Sequence, residues 1–158
     1  MTKPMLILNG PNLNLLGTRE PHIYGSTSLK DVEAMCQQRA KDLGVTISFR
    51  QSNHEGQLID WIHEAINGSS GIIINPAAFT HTSVAIHDAL KNVKHPIIEL
   101  HISHTHQRED WRQLSYVSMV ATALIMGLGV QGYPLAVEAI VQLNKTRKAD
   151  AGKAGAKA

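Results

Sequence analysis

The densest chemistry in the chain lies in "ELHISHTHQREDWR", Glu99 to Arg112. Glu99 and His101 are two residues apart, a spacing that puts both side chains on one face of a β-strand. A carboxylate beside an imidazole fixes the ring's tautomer and raises its basicity, as a general acid or base requires. Arg108 and Arg112 are four apart and share a face if their stretch is helical. A guanidinium fork there suits a carboxylate ligand. His101, His104 and His106 invite a metal reading. No helical or CxxC-type spacing accompanies them, and no metal is expected.

Two further stretches carry polar groups. "NPAAFTHTSVAIHD" places Asn75, His81, Thr82 and Ser83 just before a helix start, where backbone N–H groups favour an anion and where Thr80 or Ser83 can equally be plain caps. "LNGPNLNLLGTREPHIYGS", Leu8 to Ser26, is long and turn-rich, and carries Asn12, Arg19 and Tyr24. Loops of that length without their own structure are uncommon in compact domains and are lids, binding loops or disordered. This one has neither a G-K-[ST] ending nor G-x-G-x-x-G, so it is not a nucleotide fingerprint.

The elements that must position these residues alternate along the chain. "MLILN", "VTISFRQ", "GIIIN", "PIIEL" and "ATALIMGLG" read as strands. "STSLKDVEAMCQQRAKDLG", capped by Ser28 and closed by Gly44, reads as a helix, as do "EGQLIDWIHEAING", "SVAIHDALKNV" and "YPLAVEAIVQLNK". Val84, Ile86 and Leu90 are expected to face inward. The continuous apolar run "GIIIN" suits a strand buried on both faces. The alternation predicts an α/β protein, a flavodoxin-like three-layer sandwich with a five-stranded parallel sheet in the order 2-1-3-4-5. Ligands of such sheets sit beyond the carboxyl ends of the strands. Asn9, Asn12, Ser52, Asn53, His54, Asn75, Glu99, His101, Ser103 and His104 gather at that edge.

The chain has 158 residues, enough for one domain with a proper core. Residues 1–145 read as a single catalytic domain, and 146–158 as a disordered basic tail without apolar periodicity. A net charge of +2 does not point to nucleic acid, and no apolar run or leader points to a membrane or to export. The single cysteine, Cys36, lies in a helical pattern and reads as a buried structural thiol. A cytoplasmic location is the default.

Taken in order, "LNGPNLNLLGTREPHIYG", "QSNHEGQLIDWIHEA", "IINPAAFTHTSVAIHDAL", "ELHISHTHQREDWR" and "GLGVQGYPLA" closely resemble the type II 3-dehydroquinases, from about residue 5 to 143. The residues alone define only a small α/β enzyme with a lid and a Glu–His pair. The resemblance implies the reaction, anti elimination of water from 3-dehydroquinate through an enolate to 3-dehydroshikimate, in the shikimate or quinate pathway and without a cofactor. It implies Tyr24 as the base, with Arg19 and Arg108 supplying the positive charge that favours tyrosinate. It assigns Asn12 to a water at the enolate, and His101, oriented by Glu99, to protonation of the leaving hydroxyl. Asn75, His81, Arg112 and the backbone near Ile102 and Ser103 become the substrate clamp. Asp88 becomes a residue reaching the site from a neighbouring subunit of a dodecamer built as four trimers. The Leu8–Ser26 segment becomes a closing lid.

The chain departs from the pattern at Ala77, where glycine is expected, and at Phe79, His87 and His104. Three rival readings are a flavin or nucleotide module on the same fold, a metal hydrolase using the three histidines, and a non-catalytic scaffold. The other dehydroquinase type, a (β/α)₈ barrel with a Schiff-base lysine, does not fit a chain this short.

Overall fold

In the computed structural model, residues 3–18, 22 and 26–155 are described. Five strands form one parallel sheet: β1 (Met5–Asn9), β2 (Ile47–Gln51), β3 (Ile72–Asn75), β4 (Ile97–His101) and β5 (Ala123–Met126). Their order is β2-β1-β3-β4-β5, as expected. The helices are α1 (Leu29–Asp42), α2 (Glu55–Gly68), α3 (Val84–Lys91) and α4 (Gly132–Gly155).

Strand alternation divides the core in two. Met5, Ile7, Ile73, Ile98 and Leu100 face α1 and α4, where Val32, Cys36, Ala40, Tyr133, Ala136, Val137 and Ile140 meet them. Leu6, Leu8, Ile72, Ile74 and Ile97 face α2 and α3, against Leu58, Ile62, Ala65, Ile86, Ala89 and Leu90. A strand covered on both faces must be apolar at every position, which is why β3 is an unbroken isoleucine run. Local signals set the helix ends. Ser28 and Asp31 form a capping box on α1, and Gly44 beyond its end adopts the left-handed φ of 69°.

Two expectations need correcting. Val84 does not face inward but is 51% exposed. Ser83 caps α3, its hydroxyl accepting from the Ile86 N–H, so Val84 opens the helix. That phase turns Ile86, Ala89 and Leu90 inward and Val84 outward. The closing helix also does not end near Lys145 but continues to Gly155. Residues 145–153 are exposed throughout. Their alanines, lysines and Arg147 are good helix formers, and they extend a helix already nucleated by the packed turns before them. No helix among the described residues is long and apolar enough to cross a membrane.

Candidate active site

The sheet order reverses between β1 and β3, and the cavity opens beyond their carboxyl ends. Its walls come from the segment after β1 (Pro11, Asn12, Leu13, Leu16), from Asn75 and the turn after β3 (Ala77, Ala78, His81), and from His101 and the chain beyond it (Ile102, Ser103, Thr105, Arg108, Arg112). Close approach at the strand ends is possible because residue 10 is glycine. A Cβ there would lie 2.4 Å from the Pro76 carbonyl oxygen, while the Gly10 N–H donates to Asn75 O at 2.8 Å.

Asn12, Asn75, His81, His101, Ile102, Ser103, Arg108 and Arg112, all expected at the site, line this one cavity. Glu99 stands behind it, fully buried, with Oε1 2.7 Å from His101 Nε2. Asp88 does not reach the cavity of its own chain and is exposed on α3. Arg19 and Tyr24 lie outside the described residues, as do residues 20, 21, 23 and 25 of the proposed lid.

The Glu99 carboxylate is the electrostatic centre. Burial pushes its carboxyl up. The hydrogen bond and charge of His101, with the hydroxyls of Ser118 and Thr80, outweigh burial and bring it down to about 2. An ionised carboxylate only accepts, so His101 Nε2 carries the hydrogen and Nδ1 is the nitrogen left for chemistry. His81 is arranged differently. Its Nδ1 donates to the Leu114 carbonyl at 2.6 Å. Burial holds the ring below the usual histidine range, His101 and Arg112 nearby add to this, and the Leu114 bond opposes it. Neutral His81 therefore offers Nε2 as an acceptor for a ligand hydroxyl.

Arg112 Nε donates to Glu109 at 2.6 Å, and its guanidinium lies 4.1 Å from the Trp111 ring centroid. Glu109 is also 3.7 Å from Arg108 Nε, so one carboxylate ties both arginines. Arg108 also reaches Ser103 Oγ at 3.4 Å. His104 and His106 stack edge to face, rings 6.0 Å apart, and neither lines the cavity. Among the described residues no three His, Cys, Asp or Glu side chains gather as metal ligands would.

Sequence reasoning missed several groups. A buried chain runs from Tyr133, whose hydroxyl donates to Asn9 Oδ1 at 2.7 Å and accepts from Asn75 Nδ2 at 2.9 Å. Asn9 Nδ2 continues it to Arg50 O, and Asn75 Oδ1 accepts the Ala77 N–H. The signal available was a tyrosine at the inward edge of an otherwise aliphatic helix. Glu109, Ser115 and Ser118 gave none, since such residues usually solvate a surface.

Ala77 explains why its position calls for glycine: its φ is 51°. A left-handed L-residue costs roughly 1–2 kcal/mol, partly offset because glycine loses more entropy on folding. Ala77→Gly is therefore expected to stabilise the protein by about 0.5–1 kcal/mol, a rise of about 2 °C in Tm. A fall in the melting temperature would show that the alanine is unstrained.

Fold and cavity together define a small α/β protein with a buried, hydrogen-bonded histidine–carboxylate pair at the carboxyl edge of its sheet. The family model for class II dehydroquinases matches residues 3–141, and the chain belongs to that family. A "3-dehydroquinate dehydratase" of Streptomyces avermitilis is 59% identical over 149 residues, 94% of either chain. "Catabolic 3-dehydroquinase 1" of Aspergillus fumigatus is also 59% identical, over 94% of this chain and 99% of its own. The crystal structure of a type II dehydroquinase from Propionibacterium acnes superposes with a TM-score of 0.86 at 43% identity, covering 90% of this chain and 98% of that one.

Proposed function

We infer that the chain is a 3-dehydroquinate dehydratase. The observation that carries this is the buried Glu99–His101 pair at the wall of a cavity that also gathers Asn12, Asn75, His81, Arg108 and Arg112, in a chain of the dehydroquinase family. Tyr24, as tyrosinate favoured by Arg19 and Arg108, takes the proton beside the ketone. The C–H electrons pass into an enolate, whose oxygen is stabilised by a water held by Asn12. The enolate then re-forms the ketone as the C–O bond breaks. His101 gives its proton to the departing hydroxyl, which leaves as water. Glu99 offsets the charge of the protonated imidazole. Asn75, His81, Arg112 and the backbone of Ile102 and Ser103 hold the substrate's hydroxyls and carboxylate. No step needs a metal or an imine. The test is absorbance of the conjugated enone formed from 3-dehydroquinate, with activity persisting in excess EDTA and after borohydride treatment with substrate. No enone from folded protein would overturn the assignment.

The same reading includes a dodecamer of four trimers, with Asp88 completing a neighbour's site, and a cytoplasmic location in keeping with the lone free Cys36. Asp88 supports the shared site because it makes no side-chain hydrogen bond or ion pair among the described residues and stands exposed on α3. Asp88→Ala should weaken substrate binding and loosen the trimer together, whereas an isolated surface charge changes neither by more than about 0.5 kcal/mol. Sedimentation and kinetics on one preparation check this. A fully active monomer would sink it.

A further inference from the structure

The hydroxyls around Glu99 are not explained by a histidine–carboxylate pair alone. Besides His101, Oε1 accepts from Thr80 Oγ1 at 2.5 Å and from Ser115 Oγ at 2.8 Å. Ser118 Oγ donates to Oε2, its one partner among the described residues. Thr80 Oγ1 and Ser115 Oγ are 2.7 Å apart, and the Ser118 N–H donates to Ser115 Oγ at 2.9 Å. The two segments that bring these hydroxyls are fastened to each other, the Tyr116 N–H donating to Thr80 O at 2.8 Å. The 114–118 segment also receives His81 Nδ1 at the Leu114 carbonyl. It therefore touches both the expected clamp and the carboxylate behind the expected acid.

We propose that Thr80, Ser115 and Ser118 are positioning residues for the general acid, holding the Glu99 carboxylate against rotation so that one oxygen stays on His101 Nε2. The proposal rests on the reading of His101 as the proton donor. A carboxylate has about four lone-pair sites. Here His101, Thr80 and Ser115 crowd Oε1 and Ser118 holds Oε2, so the orientation is fixed from both oxygens. Ser118 is the group that matters most, because among the described residues it alone holds Oε2. Without it the carboxylate can turn, and His101 loses the partner that fixes its ring through Nε2. Loss of a donor also favours the protonated carboxyl, since burial, which penalises the charge, is then opposed by fewer hydrogen bonds. The titratable groups facing Glu99 are His101 on its own strand and His81 from the turn before α3, with Arg112 next to His81. Its neighbours across the sheet, Ile74 and Leu124, are apolar, and the 115–118 turn brings only hydroxyls.

Ser118→Ala tests this, with Ser118→Thr as the variant that keeps the hydroxyl and Ser115→Ala as a second deletion should the first not fold. A hydrogen bond to a charged group supports an expected fall in kcat of about tenfold with KM within about twofold, largely restored in Ser118→Thr. Followed by ¹³C NMR, the Glu99 carboxyl should titrate at higher pH in the alanine variants than in the wild type. A purely structural hydroxyl would lower thermal stability without splitting kcat from KM and without moving that titration. Folded alanine variants with wild-type kcat and an unchanged Glu99 titration overturn the proposal. A wild-type protein that forms no enone overturns the reaction assignment instead. The carboxyl titration then still decides the hydroxyl cluster, a rise supporting it and no change overturning it.

Discussion

His101→Ala is expected to lower kcat by about 10² or more, the range for losing a positioned acid or base, while the protein stays folded. The second half of that expectation comes from the surroundings of Glu99. Removing the imidazole leaves the buried carboxylate with the hydroxyls of Thr80, Ser115 and Ser118, so its charge keeps hydrogen-bond partners. The variant should also separate the two halves of the reaction. Proton removal precedes loss of the hydroxyl, so His101→Ala should still exchange the substrate's acidic hydrogen with deuterated solvent while forming almost no enone. A kcat near that of the wild type would make the Glu99–His101 pair structural and assign protonation of the leaving group elsewhere.

Tyr24→Phe should lower kcat by a comparable order, at least about 10², with modest change in substrate binding. A free phenol titrates near pH 10, roughly three units above neutrality. It acts as a base only where positive charge favours the tyrosinate. Arg108 lines the cavity and is expected to supply part of that charge, and Arg19 stands near Tyr24 in sequence. The exchange experiment gives the opposite signature here: Tyr24→Phe should abolish deuterium uptake along with product. A folded Tyr24→Phe protein that turns over normally would remove Tyr24 as the base.

The elements were legible in the sequence where one force dominates. Ile72–Ile74 had to be a doubly covered strand, and Ser28 with Gly44 had to bound a helix, because apolar burial and backbone geometry act locally. The Glu99–His101 pair was legible for the same reason, since two residues on one strand share a face whatever else the chain does. Val84 misled because one residue's phase at a helix start depends on where the cap falls. The helix beyond Lys145 misled because it is carried by propensity and continuation, without an apolar stripe to read. The hydroxyls on Glu99 were not legible at all. Thr80 and Ser115 lie 35 residues apart, and nothing local distinguishes them from solvated serines and threonines. Departures at Phe79 and His87 proved to be packing and backbone matters. Phe79 lies against the α2–α3 side of the core, and His87 Nδ1 bonds the Tyr116 carbonyl at 2.8 Å.

The bond from Tyr133 to Asn9 joins residues 124 apart, and the one to Asn75 joins residues 58 apart. Every expected site residue, from Asn12 to Arg112, is synthesised before the tyrosine that secures the ends of β1 and β3. Until residue 133 has emerged from the ribosome, Asn9 and Asn75 lack the hydroxyl that joins them. The ends of β1 and β3 are therefore secured to each other through this hydroxyl only when α4 docks. A chain stopped short of residue 133 lacks both that hydroxyl and the apolar cover that Ala136, Val137 and Ile140 give the sheet, and should be inactive.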